Sequence, residues 1–221
     1  NTCCDSVVLH TIPLFHANGW GCAHTVTLVG GTHVMVHQFV PADVLRLIER
    51  EKVTTCSLVP TMAIALVNCP DRGLHDLSSL RSVMIGGAAS SPTLVRDVEQ
   101  KLGCACISGY GLTETSPVLT ISPIKKSVPC DGEARDHKRA RAGYAIPGVE
   151  IRVVDAEGRD VPRDGESVGE VVARGDVVMD GYWNRPADSR QAMEGGWFHT
   201  GDLATVDGDH YVLIVDRKKY I

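Results

Sequence analysis

Apolar residues change their spacing repeatedly along the chain, and each change predicts an element. Ser6 to Leu14 is an apolar run closed by Pro13. After Phe15-His16-Ala17-Asn18-Gly19-Trp20-Gly21-Cys22, a helix-like or buried segment runs to Leu28-Val29 and stops at Gly30-Gly31. His33 to Phe39 alternates as a strand, with Val34, Val36 and Gln38 opposite Met35, His37 and Phe39. Pro41-Ala42-Asp43 then opens an amphipathic helix whose broad face carries Val44, Leu45, Leu47 and Ile48. Thr54 to Val59 is the next strand, and Pro60 starts a helix at the first position, where its missing N–H is not needed.

The alternation continues. Leu80 to Ile85 is a strand ending at Gly86-Gly87-Ala88-Ala89, and Ser91-Pro92 caps and starts a helix with Leu94, Val95, Val98 and Leu102 on one face. Loss of such a cap costs about 1 kcal/mol. Cys104 to Ile107 reads as a short buried strand. Strands and helices in alternation with short connections predict an α/β fold, a mostly parallel sheet flanked by helices. After Pro117 the pattern changes. Ser122 to Arg139 is a polar excursion, and from Gly143 onward short strands carry hairpin signals: Glu150 to Val154, a turn at Ala156-Glu157-Gly158, Gly169 to Ala173, Leu203 to Val206, a turn at Asp207-Gly208-Asp209, then Tyr211 to Val215. One short helix is expected around Ala187 to Met193. The organisation expected is an α/β subdomain over residues 1–121, a polar connecting loop over 122–142, a β-rich subdomain over 143–216 and a separate last stretch, 217–221.

Composition narrows the function classes. With 43% hydrophobic and 22% charged residues in 221, the chain can bury a full core and has the makeup of a globular protein. A net charge of -5 argues against nucleic-acid binding. No stretch approaches the roughly 18 apolar residues of a transmembrane helix. Arg135 to Arg141 is the one basic cluster; with Asp136 inside it and in a loop-like region, it reads as a solvated surface ahead of the alternative, a polyanion site. The 8 cysteines form no Cys-x-x-Cys pair, and Cys22, Cys56, Cys104 and Cys106 lie in apolar runs, as free thiols acting as small hydrophobes do. A reducing, cytoplasmic setting is the expectation. His33 and His37 sit four apart, but in a strand that spacing does not converge them, and no histidine metal site is expected.

Candidate chemistry concentrates in Gly109-Tyr110-Gly111-Leu112-Thr113-Glu114-Thr115-Ser116-Pro117, where glycines interrupt the apolar pattern and an aromatic ring, hydroxyls and one carboxylate follow a strand. Ligands gather at the ends of strands in α/β sheets, though glycine-rich turns after strands are also common in proteins that bind nothing there. Further motifs follow in order: Arg141-Ala142-Gly143 with Pro147-Gly148, Gly169-Glu170 with Arg174-Gly175, Gly181-Tyr182-Trp183-Asn184-Arg185-Pro186, Trp197-Phe198-His199-Thr200-Gly201-Asp202 and Asp216-Arg217-Lys218-Lys219. Together with Tyr110-Gly111-Leu112-Thr113-Glu114 they resemble the adenylate-forming superfamily, which includes acyl-CoA synthetases, aryl-CoA ligases, luciferases and peptide-synthetase adenylation domains. The resemblance covers almost the whole chain.

That resemblance implies a reaction and a division of roles. A carboxylate attacks the α-phosphorus of ATP to give an acyl-adenylate and pyrophosphate, and the thiol of coenzyme A then displaces AMP. Such chemistry asks the protein mainly for positioning and charge stabilisation. By the family pattern Tyr110 stacks on adenine, with Gly86, Gly87 and Ala88 as the opposite wall, and Gly109 and Gly111 let the backbone approach the nucleotide. Thr113 bonds the α-phosphate, Glu114 holds Mg²⁺, and Asp202 and Arg217 take the ribose hydroxyls. Read alone, Asp202 is a turn cap after Gly201 and Arg217 a surface charge.

The segment Pro13-Leu14-Phe15-His16 matches the border of the acyl site, which places His16 near the acyl carboxylate or its thioester and Trp20 in the pocket lining; a core or loop histidine is the plainer reading of His16. Amino-acid-activating relatives carry an Asp at the position of His16. The segment from there to Trp20 has no acidic residue, and burying an ammonium without a partner is costly, so a fatty or other uncharged acyl acid is the expected substrate. Lys219 matches the hinge of a C-terminal lid, and by itself reads as a solvent-facing lysine. The lysine-bearing phosphate loop of the family is expected before residue 1 and the lid after residue 221, so the chain reads as an internal piece that binds nucleotide but does not turn over alone. A non-catalytic nucleotide-binding fragment and a luciferase-like oxidoreductase on the same scaffold are the other readings. The partners expected are the acid, ATP and CoA, with homo-oligomers allowed.

Overall fold

The computed structural model describes residues 2–218. Two compact units divide the chain, one formed by residues 1–108 with 130–140 and the other by 109–129 with 141–221.

In the first unit the strands β1 (Val7–His10), β2 (Thr32–Met35), β3 (Thr55–Leu58), β4 (Ser82–Ile85) and β5 (Ala105–Tyr110) pair in parallel in the order β2-β1-β3-β4-β5. Between them run helices α1 (Ala17–Leu28), α2 (Pro41–Glu51), α3 (Pro60–Val67) and α4 (Pro92–Leu102). Three helices start with proline at the first position, and α4 has the expected cap: Ser91 Oγ accepts from Leu94 N at 3.1 Å. The sheet alternates, so that Cys56, Leu58, Val83, Ile85 and Cys106 are buried while Thr55, Ser57, Ser82 and Met84 on the other face are half-buried. The buried face shares one continuous core with Val44, Leu45 and Ile48 of α2, Leu66 of α3 and Val95 and Val98 of α4.

Two expectations for this unit are corrected. The strand expected over His33 to Phe39 stops at Met35, because β2 lies at the sheet edge and its neighbour, β1, ends at His10, the residue opposite Met35. The basic cluster is not a solvated loop. It belongs to α5 (Gly132–Ala140), a helix docked by ion pairs in which Arg135 reaches Glu99 at 2.7 Å, Arg96 reaches Asp136 at 3.0 Å, and Arg139 contacts Glu99 and donates to Cys106 O at 2.8 Å. Ala140 at its end enters the apolar core.

In the second unit the last residues of β5 continue as a strand through Gly109 and Tyr110, beyond the expected end at Ile107, and pair antiparallel with β6 (Thr120–Ile121), which pairs with β7 (Tyr144–Ala145). A four-stranded antiparallel sheet follows in the order β11-β10-β9-β8, built from β8 (Val149–Val154), β9 (Gly169–Gly175), β10 (Phe198–Val206) and β11 (Val212–Arg217). The short helix α6 (Pro186–Ala192) lies where it is expected. Strand β10 starts five residues before the expected Leu203, at Phe198. Gly143 has φ +93, and a Cβ there would collide with the Ile121 carbonyl, so this turn admits only glycine. All eight cysteines are free thiols.

Candidate active site

The loop after β5 is held as a hairpin. Leu119 N donates to Tyr110 O at 2.8 Å, and Thr113–Thr115 forms a single tight helical turn. Thr115 is fully buried; its Oγ1 accepts from Leu112 N at 2.9 Å and lies 3.0 Å from the carbonyl oxygens of Leu112 and Pro117, which share its hydrogen. At Gly111 a Cβ would collide with the Pro117 carbonyl, which explains the glycine by the packing of the loop on itself. With these inner positions fixed, the loop presents Thr113, which is exposed, and Glu114, which is half-buried.

Glu114 is gripped from residues 179–182. Its backbone oxygen accepts from Met179 N at 2.8 Å, and its Oε1 accepts from the Tyr182 hydroxyl at 2.9 Å. Tyr182 is held in turn by its N–H, which donates to Ser189 Oγ in α6 at 2.8 Å. The sequence motif contains Tyr182, but nothing in its spacing shows that it reaches a carboxylate far away in the chain.

Tyr110 packs its ring against the apolar groups of both small clusters of the unit, one around Val171 and Val212 and one around Leu119 and Ala173. Its hydroxyl donates to Asp202 Oδ2 at 2.7 Å. Burial, with the Asp202 charge beside it, pushes the Tyr110 phenol well above its ordinary value, so the proton stays on the phenol as the donor. Asp202 is only 8% exposed and stands directly opposite Arg217 in the β10–β11 ladder. Arg217 Nε lies 3.8 Å from Asp202 Oδ1, too far for a hydrogen bond, and its side chain is mostly in water. Such a guanidinium adds little to stability and is available to a ligand.

Glu114, Tyr182, Glu170, His199, Arg217 and Lys218 line a cavity of about 390 Å³. Among the described residues no group of three His, Cys, Asp or Glu side chains could hold a metal ion. Glu114 is a single carboxylate, and Mg²⁺ binds through one or two carboxylates and completes its shell with substrate phosphate and water.

The remaining expected residues belong to the first unit or to undescribed positions. Gly86, Gly87 and Ala88 follow the end of β4; Gly86 N donates to Leu58 O at 3.1 Å, and Gly87 has φ +83, in the left-handed region that favours glycine. His16 is exposed at the entry to α1, where its carbonyl accepts from Trp20 N at 2.9 Å, and Trp20 is 59% exposed. Lys219 lies outside the described residues. No helix among them is long and apolar enough to cross a membrane.

Comparison with known proteins places this arrangement in context. A long-chain-fatty-acid CoA ligase from Thermus thermophilus is 38% identical over 216 residues, 96% of this chain and 40% of the relative. A 4-hydroxybutyrate CoA ligase from Metallosphaera sedula is 36% identical over 97% of this chain and 39% of its own length. The chain thus spans about two fifths of the length of the curated relatives it matches. Among solved structures, the amide bond synthetase McbA from Marinactinospora thermotolerans superposes with a TM-score of 0.86 at 33% identity, over 97% of this chain and 41% of that one. Residues 1–183 match the family described as AMP-binding enzyme, and the chain belongs to that family.

Proposed function

We propose that the chain is the nucleotide- and acyl-binding part of a longer ligase that activates a carboxylic acid with ATP to the acyl-adenylate and passes the acyl group to CoA. The observation that carries this reading is the Tyr110–Asp202–Arg217 line beside the cavity that Glu114 enters. It joins an aromatic ring, suited to a base, with a nearly buried carboxylate and a mostly solvated guanidinium, suited to the hydroxyls of a ribose.

In this reading the chain's residues bind and orient. Asp202 accepts the ribose hydroxyls while its other oxygen keeps the Tyr110 ring at a fixed angle toward the base. Arg217, half free of its ion pair, donates to the same sugar. Thr113 offers its exposed hydroxyl to the α-phosphate, and Gly109, beside Tyr110, is assigned to the base, as Gly86, Gly87 and Ala88 are by the family pattern. Glu114, aimed by Tyr182, holds the cation; Mg²⁺, when bound, neutralises charge on the phosphates during attack by the acid. His16 and Trp20 are assigned to the acyl side and Lys219 to the hinge. A fatty or otherwise uncharged acid fits a segment without a carboxylate to pair an ammonium.

Calorimetric titration of the 221-residue chain with AMP tests this reading. Asp202→Asn retains an acceptor for Tyr110 and loses the charge, and it is expected to weaken AMP by about one to two decades, the worth of a hydrogen bond to a charged group. Unchanged affinity refutes the assignment. The chain alone is expected not to turn over, and ATP–pyrophosphate exchange by it would overturn that point. In the full-length protein, thiol-dependent AMP release with fatty, branched and aryl acids identifies the acid.

A further inference from the structure

The ladder between β9 and β10 breaks where the ribose site is proposed. His199 stands opposite Val172 and Leu203 opposite Glu170, so Thr200, Gly201 and Asp202 all face the single residue Val171. This is a bulge, with Gly201 at φ +73 in the conformation that glycine adopts without strain. A bulge leaves backbone groups without ladder partners, and here side chains replace them. Thr200 Oγ1 donates to Val171 O at 2.8 Å and accepts from Asp202 N at 3.1 Å. Glu170 Oε1 accepts from Gly201 N at 3.1 Å.

The second oxygen of Glu170 reaches the other side of the site. Oε2 accepts from His199 Nδ1 at 3.1 Å, which places the imidazole hydrogen on that nitrogen, and lies 3.5 Å from Lys218 Nζ. Lys218 N donates to Gly201 O at 2.6 Å. One carboxylate, with its side chain only 12% exposed, is thus bound to the residue before Asp202 and to the residue after Arg217. Removing a carboxylate so far from water is costly unless its oxygens are bonded, and these are.

We propose that Glu170 is a positioning residue that sets the distance between Asp202 and Arg217, and so tunes the site for the sugar of the nucleotide. The proposal rests on the nucleotide reading above. Glu170 acts through Gly201 and Lys218, and so fixes both ends of a clamp. Glutamine in its place keeps an acceptor for Gly201 N–H and loses the attraction for Lys218, whereas alanine loses both.

The test combines site-resolved amide exchange with AMP titration on the 221-residue chain. Glu170→Ala is expected to speed exchange at Gly201 about tenfold or more, while Val171 and Ala204 in the flanking ladder keep their rates. It is also expected to weaken AMP about tenfold, in proportion to a lost charged hydrogen bond. Glu170→Gln should restore the Gly201 rate but leave Lys218 fast and AMP binding between wild type and alanine. Unchanged exchange at Gly201 and Lys218 in both variants overturns the proposal. So does exchange that rises equally throughout β9 and β10, which marks a merely structural role. If the alanine variant fails to fold, glutamine decides alone: a fast Lys218 amide beside a protected Gly201 supports the clamp, and the wild-type rate at Lys218 refutes it. Failure of the wild-type chain to bind AMP would refute the nucleotide reading, and the exchange rates would still report on the clamp itself.

Discussion

The first unit packs one continuous apolar core around its parallel sheet, whereas the second holds two small apolar clusters; both bury polar side chains, Ser6, His10, Thr11, Thr54, Ser108 and Asp136 in the first and Thr115, Thr120, Ser122, Thr200, Asp202 and Thr205 in the second, so in the second they weigh more against the apolar groups. Polar groups in the second unit pin a loop, a bulge and a phenol. The difference teaches where each unit draws its order: the first from area removed from water, which is non-directional, and the second from directed hydrogen bonds, which fix angles at the site.

The largest expected effect would break the first side of this comparison with alkali. Burial pushes the Cys56, Cys104 and Cys106 thiols up from 9.0 to about 12. In the unfolded chain these thiols ionise near 9, so between pH 9 and 12 the folded state binds more protons than the unfolded one and stability falls as pH rises. Urea midpoints followed by circular dichroism should drop steeply across this window, and Cys56→Ala should make the drop shallower.

A core truncation comes next. Leu45 is fully buried in α2, and Leu45→Ala should cost about 2–5 kcal/mol of the first unit's stability in chemical unfolding. The second unit responds on a smaller scale. Tyr182→Phe removes one hydrogen bond to Glu114 and should cost about 0.5–1.5 kcal/mol in Mg²⁺-dependent nucleotide affinity, with little change in the unfolding midpoint. An equal loss of midpoint and affinity would erase the contrast between the units.

The smallest effect is an exception inside the first unit. His10 is buried at the end of β1, and its Nε2 lies 2.9 Å from His33 Nδ1, while His33 Nε2 lies 3.0 Å from Thr27 Oγ1. Burial, with His33 nearby, holds the His10 imidazole below its ordinary 6.5. The unfolded chain therefore takes up a proton that the folded chain refuses, and stability is lost as pH falls below 6.5. Urea midpoints between pH 7.5 and 5 should show this slope, and His10→Gln should flatten it.

What could be read in advance follows the same division. The helix faces of α2 and α4 and the Ser91 cap were legible because their signals are local and periodic. Helix α5 was not, since Arg135, Asp136 and Arg139 find their partners in Glu99, Arg96 and a strand carbonyl, none of which the polar stretch itself announces. The bulge at Thr200-Gly201-Asp202 hides for a different reason: it interrupts the two-residue period by which strands are recognised. Tyr110, Glu114, Asp202 and Arg217 were singled out by motif, but the bond from Tyr110 to Asp202 and the grip of Tyr182 on Glu114 are long-range contacts that no spacing encodes. Gly111 was singled out by motif, but what requires a glycine there, the Pro117 carbonyl, was not legible.

The path of the chain between the units has a consequence for its history. It passes from the first unit to the second after Ser108, returns with Cys130–Ala140, and leaves again at Arg141. No single recombination breakpoint can exchange one unit and spare the other, because any cut within residues 109–140 divides both. Exchange of either unit as a whole therefore needs more than one cut.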